Sequence, residues 1–175
     1  YDSKLNKELG IVTEPNVRII NSITAENDTI RSTMIPTLLG FVARNADSES
    51  EMGMFEIGRV VEGYREDGLC NERKRLGIVI ASKRMTEREV YFKCKEIIEQ
   101  TMRSVKNIAP RFEIKEELAK YNYVHPVNCA SIWLKDVEIG FFSVINPRIK
   151  NRIDKKLNIA FAEIDIENME KLAAE

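Results

Sequence analysis

The sequence predicts an α+β domain built on an antiparallel sheet flanked by helices. Three observations predict it. Strand-like apolar runs outnumber helical ones, most of those runs are joined by short turns, and the helical segments gather in a few places. With 175 residues, 43% hydrophobic and 31% charged, the chain is long enough to bury a sizeable core and reads as one domain over 1–175. It opens on Tyr1 directly before a polar helical segment, which reads as a piece of a longer polypeptide. No apolar run approaches the roughly 20 residues needed to cross a bilayer, and nothing resembles a signal peptide.

Residues 2–9 form a short helix capped by Asp2 or Ser3 and stopped by Gly10. Residues 17–20 read as a strand and 21–29 as a polar loop. Ile30, Met34, Ile35, Leu38, Leu39 and Val42 recur at helical spacing. Pro36 is tolerated only in a first turn, so this helix should begin near Ser32 or Thr33. After an acidic loop over 47–51, residues 54–62 and 75–82 form a hairpin whose turn holds Asp67-Gly68. Leu76, Ile78 and Ile80 alternate with Gly77, Val79 and Ala81. Both faces of that second strand are therefore apolar, which makes it central.

Thr86 and Glu89 form a capping box for the longest helix. Val90, Cys94, Ile97, Ile98, Thr101, Met102 and Val105 then keep one face to about Asn107. A short strand over 112–115 follows, then paired strands over 129–134 and 139–145 across a turn at 135–138. Asn146-Pro147 opens a basic helix through Ile153, a strand covers 159–166, and a helix over 168–174 closes the chain.

Lys and Arg number 27 against 28 Asp and Glu. A free-standing nucleic-acid binder usually carries a basic excess, so any RNA contact must be local. Cys70, Cys94 and Cys129 are odd in number and far apart, which argues against a disulfide framework and for a reducing, cytoplasmic setting. One histidine leaves little for a Cys/His zinc site. The dispersed glycines make neither a GxxxxGK[ST] loop nor a GxGxxG turn.

Several segments together resemble the C-terminal synthetase-like module of the phenylalanyl-tRNA synthetase beta chain. Arg31-Ser32-Thr33-Met34-Ile35-Pro36 is similar to that family's Arg-Thr-Ser-Leu-Leu-Pro, and Ala43-Arg44-Asn45 to its Ala-x-Asn. Residues 54–61 are similar to its Leu-Phe-Glu-Ile-Gly-Arg-Val-Phe. His125-Pro126, Glu138-Ile139-Gly140-Phe141 and the strand Phe161-Ala162-Glu163-Ile164-Asp165-Ile166 look like further family segments. The resemblance covers most of the chain. It departs at Asn146-Pro147, where the family commonly has His-Pro, and at Val127-Asn128, where Gly and Arg usually follow the first His-Pro.

The resemblance implies a class II aminoacyl-tRNA synthetase-like core that is catalytically silent. The family's second motif places arginine and glutamate as Phe-Arg-x-Glu; here the strand reads Phe55-Glu56-Ile57-Gly58-Arg59. Its third motif is a glycine-rich junction ending in arginine, and the final strand here has neither. A site without these cations lacks the means to neutralise a triphosphate. No catalytic, cofactor-binding or metal-binding residue is therefore expected in this segment, and a cleft shaped for adenylate should lack positive groups. In the family it resembles, the holoenzyme joins phenylalanine to its tRNA using ATP and magnesium. The segment should be scaffold packed against the catalytic alpha chain in a heterotetramer, with tRNA met through the holoenzyme and no membrane contact. The family's magnesium and editing sites belong to other beta-chain domains. The alternative is a stand-alone regulatory or tRNA-binding paralogue of the core.

Arg31, Glu56, Arg59 and His125 are candidates for structural or subunit-contact roles. His125 precedes Pro126 at a strand entry, a geometry that favours structure over general-base chemistry. Arg59, in mid-strand, calls for a carboxylate partner. Arg148, Lys150, Arg152, Lys155 and Lys156 are either a patch for tRNA or an acidic partner or a solvated helix face. Arg73-Lys74-Arg75, at the hairpin end, carries the same two readings. Glu163, Asp165 and Glu167 alternate; a solvated edge or salt-bridge row outweighs a divalent-cation site. Trp133, between Ile132 and Leu134, reads as core rather than as a stacking platform. Lacking its preceding packing partner, the isolated piece should expose an apolar patch.

Overall fold

A computed structural model describes residues 3–13, 17–19 and 29–172. Helix α1 (Ser3–Leu9) ends where Gly10 takes φ +73, as its glycine stop predicts. Strands β1 (Val17–Arg18) and β2 (Thr29–Ile30) form a two-stranded ladder, so Thr29, expected at the end of the loop over 21–29, is in a strand; the rest of that loop, with Asp2, Ile20 and positions 173–174 of the expected last helix, lies outside the described residues. Helix α2 (Ile35–Asn45) carries Pro36 in its first turn. Ile30 belongs to β2 and not to this helix, a correction to the periodicity, which cannot separate an apolar residue just before a helix from one inside it.

The main sheet follows as β3 (Glu51–Tyr64), β4 (Cys70–Ser82), β5 (Arg111–Ile114), β6 (Val124–Leu134), β7 (Val137–Ile145) and β8 (Asn158–Asp165). Its order is β3-β4-β8-β7-β6-β5, and every neighbour is antiparallel. Strand β4 lies between β3 and β8, as its two apolar faces predict. Residues 116–120 form a 3-10 turn that carries no strong sequence signal, and α4 spans Pro147–Ile153. Asn146 caps α4 by accepting from the Arg148 N–H at 3.0 Å. Helix α5 covers Ile166–Glu170, starting two residues before the predicted helix because Asp165 is its cap, accepting from Asn168 N at 2.9 Å.

Helix α3 (Glu87–Lys106) holds the predicted capping box. Glu89 N donates to Thr86 Oγ1, and Thr86 N donates to Glu89 Oε2 at 2.7 Å. Val90, Cys94, Ile98 and Met102, four apart, are fully buried against one sheet face with Ile78, Ile132, Phe142 and Ala162. Each of the valine, isoleucine, methionine and phenylalanine side chains contributes about 1.5–3 kcal/mol by burial. The opposite face packs under α1, α2 and α4 through Leu38, Leu39, Val79, Ile149 and Phe161. The protein is therefore a helix–sheet–helix stack in which α2 and α3 cover β4 and β8 from opposite sides. No described helix is long and apolar enough to cross a membrane.

Candidate functional site

Alternation along β4 puts Arg73, Arg75 and Gly77 on one face. In register across β8, Asp165 stands opposite Arg75 and Glu163 opposite Gly77. The cross-strand neighbours are thus a charge pair and a carboxylate beside a gap. Helix α2 fills the gap. A Cβ on Gly77 would lie 2.8 Å from Leu38 and 2.9 Å from Met34, so the missing side chain lets the helix start settle on the sheet. Glu163 reaches the same helix start: its Oε2 accepts from Thr33 Oγ1 and from Met34 N, both at 2.6 Å. Met34, at the cap position, has no side-chain cap of its own. A carboxylate 129 residues away in sequence caps α2 instead. Burial pushes the Glu163 carboxyl up from its ordinary value, against these hydrogen bonds.

Beside this contact lies a cleft of about 630 Å³, lined by Glu62, Arg73, Arg75, Lys115, Tyr121 and Asp165 among others. The expectation of a cleft without positive groups is corrected here. Arg73 and Arg75 enter it from the second strand of the hairpin, and Lys115 and Lys120 from the segment between β5 and β6. The cations nevertheless already hold partners. Arg73 bridges Asp165 at 2.6 Å and Glu167 at 3.2 Å. Arg75 meets Asp165 at 3.0 Å and also Glu62. Lys115 lies 2.7 Å from Glu138, and the Lys120 ammonium sits 5.0 Å from the Tyr121 ring centre. Glu117, Glu163 and the paired carboxylates bring the lining to an acidic balance. Burial works against charge on Asp165, yet the Asn168 amide and both arginines outweigh it and hold its pKa below the usual carboxylate range.

Such a cleft does not fit a nucleoside triphosphate. A polyphosphate would have to displace carboxylates from half-buried arginines and then face those carboxylates. No group of three His, Cys, Asp or Glu among the described residues is placed to hold a metal. The Nε atoms of Arg73 and Arg75 are buried without an acceptor, which subtracts from what the ion pairs contribute.

The structure also places the other predicted residues. Arg31 and Glu56 form an ion pair at 2.7 Å, with the Arg31 guanidinium lying over Gly58, where a Cβ would collide with it. Arg59 lies within β3 and has the carboxylate that its mid-strand place calls for, Glu72 at 2.8 Å, with both side chains largely exposed because β3 is an edge strand. His125 caps its own turn: Nδ1 accepts from Val127 N at 3.1 Å and Asn128 N at 2.9 Å, and Nε2 lies 3.9 Å from Glu87. Glu163 and Asp165 are buried at 6% and 3% exposure in a central strand, and Glu167 belongs to α5. The solvated-edge reading is therefore corrected for the first two. Trp133 is half-buried rather than core: its indole N–H donates to Ser131 Oγ and the Arg111 guanidinium covers the ring at 5.4 Å.

A second hollow, also about 630 Å³, is apolar. Met54, Phe55, Ile57, Leu76, Val105 and Met169 line it, with Phe55 at 71% and Ile57 at 55% exposure.

The family profile described as phenylalanyl tRNA synthetase beta chain CLM domain matches residues 2–166. The chain is similar to the phenylalanine–tRNA ligase beta subunit of Sulfurimonas denitrificans, 26% identical over 157 residues, covering 87% of this chain and 20% of that protein. The beta subunit of Campylobacter jejuni is 29% identical over 161 residues, with 86% and 19% covered. That of Aquifex aeolicus is 28% identical over 172 residues, with 96% and 21% covered. The chain thus spans about a fifth of the length of the curated relatives it matches. With the profile covering nearly all of it, the chain belongs to the phenylalanyl tRNA synthetase beta chain CLM domain family.

Proposed function

We propose that the chain is the non-catalytic, class II synthetase-like part of a phenylalanine–tRNA ligase beta subunit, and that it serves as scaffold for a catalytic alpha chain in a heterotetramer. The observation that carries this reading is the locked cleft, where Arg73 and Arg75 are already held by Asp165, Glu62 and Glu167. In this reading phenylalanine, ATP and magnesium are handled by the alpha chain, and the assembly works in the cytoplasm; three unpaired, separated cysteines support a reducing setting. The apolar hollow at β3 is where the alpha chain docks, since Phe55 and Ile57 are too exposed for a free surface.

The test is co-expression of the native polypeptide with an alpha chain. Stable co-purification and phenylalanylation are expected, together with loss of co-purification for F55E/I57E. The chain alone should give no phenylalanine-dependent exchange between ATP and pyrophosphate; adenylate formation by the chain alone would overturn the reading.

A further inference from the structure

Helix α4 and the turn after it are two-sided. Ile149 and Leu157 are buried, and Ile153 packs beside them. Arg148, Arg152, Lys155 and Lys156 are exposed on the other side. Lys150 donates to Asn158 Oδ1 at 2.5 Å. The single carboxylate in this stretch, Asp154, is held by Lys83 at 3.1 Å, a cation from outside the segment. Helix α1 packs against α4 and adds the exposed Lys4 and Lys7. The two join at Gly10, against which the Arg152 guanidinium lies. Residues 3–9 and 147–157 together carry seven of the 27 Lys and Arg but two of the 28 Asp and Glu. The rest of the chain is therefore acidic in balance, and the basic character is concentrated on this face.

We infer that the α1–α4 face binds the phosphodiester backbone of tRNA. Protein interfaces need an apolar or aromatic centre, and residues 3–9 and 147–157 contain no aromatic side chain. An amphipathic membrane anchor needs apolar residues to insert, whereas the apolar side of α4 is already spent on the core. What remains is point-charge recognition, which positions a phosphate backbone without reading bases. The choice of tRNA as the nucleic acid rests on the ligase-subunit reading; the phosphate chemistry does not.

The experiment measures tRNA affinity of the native polypeptide, assembled with its alpha chain, across a salt series. The variant R148Q/R152Q/K155Q/K156Q is compared with R88Q/R103Q on the exposed side of α3. The first should weaken binding about ten-fold or more and flatten the slope of log affinity against log salt by roughly 2–4, close to one per lost phosphate contact. Exchange between ATP and pyrophosphate, which needs no tRNA, should stay at the wild-type level and show that the complex is intact. Unchanged affinity and slope overturn the inference, as does an equal loss in the α3 variant. Binding to anionic lipid vesicles that falls while tRNA binding does not also overturns it. Failure of the wild-type polypeptide to assemble overturns the subunit reading instead, and the same titration on the unassembled polypeptide then decides the RNA face.

Discussion

Glu163 and Asp165 sit two residues apart on one face of β8, yet their surroundings push them in opposite directions. Burial raises Glu163, so the folded state binds its proton more tightly than the unfolded chain does. Its contribution is full below the ordinary glutamate range and is lost as pH rises toward the raised folded value. Asp165 is lowered, so its contribution is present above the ordinary aspartate range and is lost as pH falls through the folded value. E163Q keeps an oxygen for Thr33 and Met34 while removing the charge. Denaturant titration from pH 4 to 8 should therefore show E163Q as stable as wild type or better, with the loss on raising pH reduced. E163A leaves the Met34 N–H and Thr33 hydroxyl without their acceptor and should cost about 1–3 kcal/mol. Equal losses for both variants would sink the role assigned to that oxygen. D165A removes the carboxylate that Arg73 and Arg75 share, leaving them Glu167 and Glu62, and should cost about 1.5–3 kcal/mol, read as a lower denaturation midpoint at neutral pH.

Helices α2 and α3 show two ways of starting a helix. Thr86 and Glu89 do it within one turn, and such a local signal is legible without any structure. T86A should therefore cost about 1 kcal/mol. Helix α2 has its starting acceptor on β8, and the sequence around Met34 contains no hint of it; only Pro36 marks the first turn. The same division runs through the sheet. The alternation over 75–82 announces a central strand because burial on both faces is written into the residues themselves. Nothing local says that β8 inserts between β4 and β7, and that insertion is what brings Asp165 to Arg75. That no arginine directly follows Phe55 is legible in the sequence, whereas the locked arginines of β4 needed the register. At Gly77 the start of α2 comes close to the sheet. G77V should overpack against Leu38 and Met34 and lower stability by about 1–3 kcal/mol, measured by the shift in thermal midpoint.

At the scale of the molecule, the six-stranded sheet has two unlike ends. The β3 end is long, with Phe55 and Ile57 exposed, and a long apolar edge invites association. The chain purified alone should thus self-associate with rising concentration, and F55E/I57E should shift sedimentation toward monomer without lowering the thermal midpoint. The β5 end is four residues wide and carries Arg111 over Trp133, its partner in register. The chain has a single tryptophan, so its ultraviolet emission is a private signal from that far border. Peeling of β5 would bare the indole and redden its spectrum while circular dichroism still registers an intact interior. Fraying at one margin can therefore be timed separately from collapse of the whole, without attaching a dye.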